Sequence, residues 1–156
     1  MDNLEEAKKY IYSIDFSKIC SKMESHLGWI MDDVLDTCHQ YRNYLFLKKK
    51  YPEFNLPPSK DIDLFWHEHI LDTNKYIEDT SVIFGGYLHH YPYFGIDNNT
   101  TIADVMKSFQ MTQELYLKEF NTAMSPTRSQ LPSVLYSLMY KFKKISKSKF
   151  FMKKRV

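Results

Sequence analysis

Apolar side chains recur every three to four residues along almost the whole chain, and they never alternate over a strand-length run. A period near 3.6 gives helices with one buried face, so the feature that most constrains this chain points to an all-α fold. Residues 4–14 place Leu4, Ala7, Tyr10 and Ile11 on one such stripe. Asp15 or Ser17 is expected to cap a second short helix burying Ile19, Cys20 and Met23. Gly28 interrupts the pattern. A longer helix is expected from about Trp29 to Lys49, with Trp29 or Ile30, Val34, Leu35, Cys38, Tyr41, Leu45 and Phe46 inward. Its acids lie first (Asp32, Asp33) and its lysines last, the order that complements a helix dipole. Pro52, Pro57 and Pro58 then forbid regular helix.

Ser59 is an N-cap for a helix over about 60–71, and Thr73 is expected to cap another over about 74–84, ended by Gly85-Gly86. An aromatic loop follows at about 86–99. Thr101 opens a long helix to about Met124, with Ile102, Val105, Met106, Phe109, Leu115 or Tyr116, and Phe120 on its inner face. A last helix is expected from about Ser133. The expectation is a compact single-domain bundle of about five to six helices over 1–140, with a basic tail at 141–156.

The tail carries eight basic side chains and no acid, so removing it from the net charge of +2 leaves −6 for residues 1–140. An acidic body argues against a broad nucleic-acid-binding face. The tail's lysines alternate with Phe142, Ile145, Phe150 and Phe151, a composition suited to an anionic membrane surface, against the simpler expectation of a frayed, solvated terminus. No apolar run approaches the ~18–20 residues of a membrane-spanning helix, and the acidic N-terminus has no secretory pattern. Cys20 and Cys38 match no zinc-finger spacing and read as core residues. Cytoplasmic localisation is expected. No phosphate-binding loop or nucleophile elbow is present, so no nucleotide cofactor is expected.

Chemistry concentrates between positions 61 and 90, where His67, His69, His89 and His90 lie among Asp61, Asp63, Asp72 and Asp79. Asp63 and His67, four apart, project from one helix face and can chelate one divalent cation, or the carboxylate can fix the imidazole tautomer. His69 points about 200° away from His67 on a regular helix, and joins it only if the helix ends or distorts. His89 and His90 follow a double glycine able to fold them back toward Asp63. Tyr76 and Asp79 form an i, i+3 pair on the next helix, and Glu68 or Asp79 is a candidate base should a bound ion activate water. The metal-ligand set is therefore Asp63, His67, His69, Asp79, His89 and His90. Zinc suits the imidazoles best, and the carboxylates leave manganese or iron open. The bland alternative buries Phe65 and Trp66 as anchors and makes Asp63 and His67 a structural hydrogen-bonded pair. Tyr87, Tyr91, Tyr93 and Phe94 are expected to pack down as a lid over the core, with a recognition loop as the alternative.

The stretch 57–95 resembles the core of the glycine-rich domain-containing protein-like family, in a short bacterial-type version. The resemblance rests on Pro58, Ile62-Asp63, Trp66-His67-Glu68-His69, Tyr76, Asp79, Gly85 and His89-His90, with Trp29 and Tyr41-Arg42-Asn43-Tyr44-Leu45 upstream. It covers about residues 15–95. With 4 Gly in the chain the family's glycine-rich region is missing, and residues 100–156 resemble nothing further. The resemblance implies a helical fold and a polar site on which two separated segments converge. A small helical domain with a His/Asp divalent-metal site is the leading expectation. The alternative is a non-enzymatic module that binds a protein partner or a membrane.

Overall fold

The structure, a computed structural model, describes residues 3–91, 93–94 and 100–124. The expected last helix from Ser133 and the basic tail lie outside the described residues. Those that are described fall into a unit ending at Met124. They form six helices and no strand: α1 (Leu4–Ser13), α2 (Ser17–Ser25), α3 (Met31–Lys50), α4 (Lys60–Leu71), α5 (Thr73–Phe84) and α6 (Ile102–Phe120). The fold is all-α. Among the described residues no helix is long and apolar enough to cross a membrane.

Local chemistry sets most boundaries. Asn3 caps α1 by accepting from the Glu5 amide, and Asp15 accepts from the Ser17 amide at the start of α2. Ser59 accepts from the Ile62 amide at the start of α4. Thr101 and Asp104 form a reciprocal capping box on α6. At the end of α5, Gly85 takes the left-handed conformation (φ 77°) and its N–H reaches the Ser81 carbonyl.

Three expectations need correction. Thr73 is the first residue of α5 rather than its cap, because Asp72 alone separates α4 from α5. The Asp72 amide bonds the His69 carbonyl, and its own carbonyl accepts from Tyr76. α6 stops at Phe120, where Asn121 turns left-handed (φ 52°), short of Met124. The inner face of α6 is also displaced. Ile102 and Met106 are 75% and 68% exposed, whereas Thr112, Leu115 and Tyr116 are buried, so the second half of the helix makes the packed face.

α3 is the hub, packed against α1, α2, α4 and α6. Surrounded in this way, it buries Thr37, Asn43, Tyr44 and Leu47 as well as Val34, Cys38, Tyr41, Leu45 and Phe46. A single amphipathic stripe does not describe a helix covered on several sides. Leu35, expected inward, is 53% exposed. The centre is aromatic. Phe16 meets Phe65 edge-on at 5.5 Å and His69 at 5.0 Å between ring centroids, with the Arg42 guanidinium 4.7 Å over its ring. Arg42 also donates to the Ile14 carbonyl, closing the α1–α2 turn against α3. Cys20 and Cys38 are buried free thiols.

Candidate metal centre

α4 sends its residues to two different places. Asp63 and His67, one turn apart, share the outer face, with Asp63 Oδ2 3.6 Å from His67 Nε2. Phe65, Trp66 and His69 turn into the core. The helix is regular throughout, so His67 and His69 stay on opposite sides.

The loop after α5 completes the outer cluster. Buried Tyr76 receives a hydrogen bond from Trp66 Nε1 at 2.8 Å and donates its own O–H to the Leu88 carbonyl at 2.5 Å. That fixes the chain two residues before His90. The His90 ring then lies 4.6 Å from Trp66 and 4.7 Å from His67 between centroids. Its Nε2 is 2.9 Å from Asp63 Oδ1 and 3.2 Å from His67 Nε2. One ligand-type atom from each of Asp63, His67 and His90 lies within 4.8 Å of the others. Asp63 and His90 are half-buried and His67 is exposed.

His89, the neighbouring residue, is elsewhere. It is exposed and tilts against the Tyr87 ring at 5.0 Å. His69 and Asp79 form a second, buried centre. His69 Nε2 is 3.1 Å from Asp79 Oδ2, and His69 Nδ1 is 2.9 Å from the Tyr41 hydroxyl. Tyr10 donates to Asp79 Oδ1 at 2.8 Å, and Lys75 Nζ lies 3.1 Å from Oδ2. Burial pushes the Asp79 carboxyl up, but the hydrogen bonds from His69, Tyr10 and Lys75 outweigh it and leave the acid below its ordinary range. An ionised Asp79 only accepts, so it takes the His69 Nε2–H and leaves Nδ1 to accept from Tyr41. Every polar atom of this imidazole is thereby used. Glu68 turns toward α2, with Lys22 Nζ 2.5 Å from its Oε2. Neither Glu68 nor Asp79 belongs to the outer cluster.

Beside the Asp63–His90 edge opens a cleft of about 400 Å³. Its walls include Lys48 from α3, Lys60 and Trp66 from α4, and Tyr91 and Phe94 from the loop. The loop aromatics do not all form the expected lid. Tyr87, Tyr91 and Tyr93 are 46%, 58% and 58% exposed, and Phe94 is half-buried. Their loop is held by its backbone at Leu88, which leaves these rings outward.

With the geometry in place, comparison with known proteins adds one finding. Residues 16–79 match the family model of the glycine-rich domain-containing protein-like family. The matched GRDP-like segment starts at Phe16, the ring at the centre of the core, and ends at Asp79. It contains Asp63, His67 and the whole inner His69–Asp79 pair, while His89 and His90 lie beyond it. No curated protein and no solved structure matches the chain. Sequence reasoning passed over Phe16, Tyr41 and Tyr10 as partners of the inner pair. Spacing marks Tyr10 and Tyr41 only as apolar stripe positions and gives Phe16, just before α2, no assignment at all, although Tyr41 stands in the stretch that resembles the GRDP-like family.

Proposed function

We propose that Asp63, His67 and His90 hold a divalent cation at the rim of the cleft, with zinc the preferred ion. The observation that carries this reading is the set of donor separations. Tetrahedral zinc with bonds of about 2.0–2.1 Å requires ligand atoms roughly 3.3 Å apart. His90 Nε2 lies 2.9 Å from Asp63 Oδ1 and 3.2 Å from His67 Nε2, and His67 Nε2 lies 3.6 Å from the other carboxylate oxygen, Oδ2, so the two oxygens of one carboxylate serve the two imidazoles at separations near that value. The donor types fit as well, two imidazoles and one carboxylate. Three protein ligands leave a fourth position for water or a ligand, the arrangement of sites that do more than hold structure together. Asp63 is the sole carboxylate among the described residues lining the cleft, so the reading is of a metal-holding, ligand-accepting domain without a named reaction.

The ion would also clamp the loop to α4, since His90 comes from one and Asp63 and His67 from the other. Protein purified without a nickel column should carry close to one zinc per chain by elemental analysis. His67→Ala and His90→Ala should lose it, and His89→Ala should keep it. Zinc at a hundredfold excess over its dissociation constant should stabilise the wild type by about 2.7 kcal/mol and leave His90→Ala unmoved. Metal-free protein indifferent to added zinc would sink the reading. The exposed Tyr87, Tyr91 and Tyr93 would then favour a module that binds a protein partner through the loop.

A further inference from the structure

The cleft carries an unmatched positive charge. Lys48 stands half-buried in its wall, and Lys60 stands at its edge on the first turn of α4. Among the described residues no carboxylate lies within ion-pair distance of either ammonium, whereas Lys22, Lys50 and Lys75 each have one. Burial draws the Lys48 ammonium below its ordinary lysine range, the sign of a cation short of water. Counting the described titratable groups of the wall, two lysines against Asp63 leave +1 with the imidazoles neutral. A divalent ion on Asp63 raises this to +3. A half-desolvated cation facing open space is costly unless something negative enters.

The remaining lining says what else the occupant carries. Trp66, Tyr91 and Phe94 present aromatic surface, and Leu56 closes the floor. About 400 Å³ suits a small molecule and not a polymer. We propose that the cleft binds a small oxyanionic compound with an aromatic or apolar body, its oxyanion between Lys48 and the Asp63–His67–His90 rim and its body against Trp66 and Tyr91. The proposal rests on the metal reading for the rim's share of the affinity, while the lysines supply attraction without it. The oxyanion is a phosphate monoester or a carboxylate; both are planar or tetrahedral acceptors that an ammonium binds.

The test titrates phenyl phosphate and benzoate, separately, into zinc-loaded and zinc-free full-length protein by calorimetry, with Trp and Tyr fluorescence as a second readout. Binding to the zinc-loaded form is expected, and weaker binding to the zinc-free form. Lys48→Met, which keeps the apolar stem, should weaken it by roughly tenfold or more, the worth of one charge-assisted hydrogen bond. Lys60→Met should weaken it less, and Lys18→Met, on α2, should do nothing. Zinc content of Lys48→Met should match wild type, which separates failure of this proposal from failure of the metal site. If zinc does not bind at all, the zinc-free titration decides alone, with Lys48→Met again expected to weaken binding by roughly tenfold or more. Absence of binding in both forms, or equal binding by Lys48→Met, overturns the proposal. Which of the two probes binds more tightly assigns the oxyanion.

Discussion

A single hydroxyl decides which loop histidine reaches α4. Tyr76 is fully buried, and its oxygen is used on both sides, by the Trp66 indole N–H and by the Leu88 carbonyl. Tyr76→Phe keeps the ring and its packing but strands a buried donor and releases the loop carbonyl. A loss of about 1–3 kcal/mol in urea unfolding is expected, the usual cost of leaving such a group unsatisfied. A partner that orients a ligand also governs affinity, so zinc should bind roughly 10–100-fold more weakly to this variant. Unchanged zinc affinity would show that His90 is placed by something other than the Leu88 anchor. The Asp63–His67 half of the cluster was legible from spacing, because four residues on a helix is a fixed geometry. The choice of His90 over His89 was not legible. Adjacent loop residues carry no periodicity, and a tyrosine twelve positions upstream of Leu88 makes the selection.

Helices were legible to within a few residues wherever a cap spelled their ends, as Ser59, Gly85 and Thr101 do. Which face each helix buries was legible for the short helices α1 and α2, whose expected stripe residues Ala7, Ile11, Ile19, Cys20 and Met23 are buried. α3 is packed by four others and buries Asn43, whose amide donates to the Tyr116 hydroxyl at 2.7 Å and whose carbonyl accepts from Tyr12. α6 shows the opposite failure, with a continuous apolar stripe of which only the later part is covered. Its two halves should therefore respond differently to substitution. Met106→Lys, at an exposed position, should stay within about 0.5 kcal/mol of wild type. Leu115→Ala, in the packed half, should cost about 2–5 kcal/mol. Equal losses at both positions would mean that the first half of α6 is packed too.

Across the whole molecule, the inner centre ties together four helices through one carboxylate. Asp79 of α5 receives Tyr10 from α1 and His69 from α4, and His69 in turn holds Tyr41 of α3. Because the native carboxyl titrates below its ordinary value of 3.8, the unfolded chain binds more protons in that range. Stability from this group is thus fully present above pH 3.8 and drains away as pH falls through the lower native value. Other carboxyls held low, Glu119 against Lys50 and Tyr51 among them, add their own acid dependence. The informative quantity is therefore the difference between wild type and Asp79→Asn. At neutral pH that variant should lose about 1.5–3 kcal/mol, the worth of hydrogen bonds to a charged acceptor. The gap should close in urea titrations carried below pH 3.8, where the wild-type carboxyl also takes up its proton. If Asp79→Asn is too unstable to measure, Tyr10→Phe removes one donor at about 1–2 kcal/mol, because the bond is to a charged acceptor, and its gap should narrow over the same range. A gap constant down to pH 2 would place the acid-sensitive tie between the helices somewhere other than Asp79.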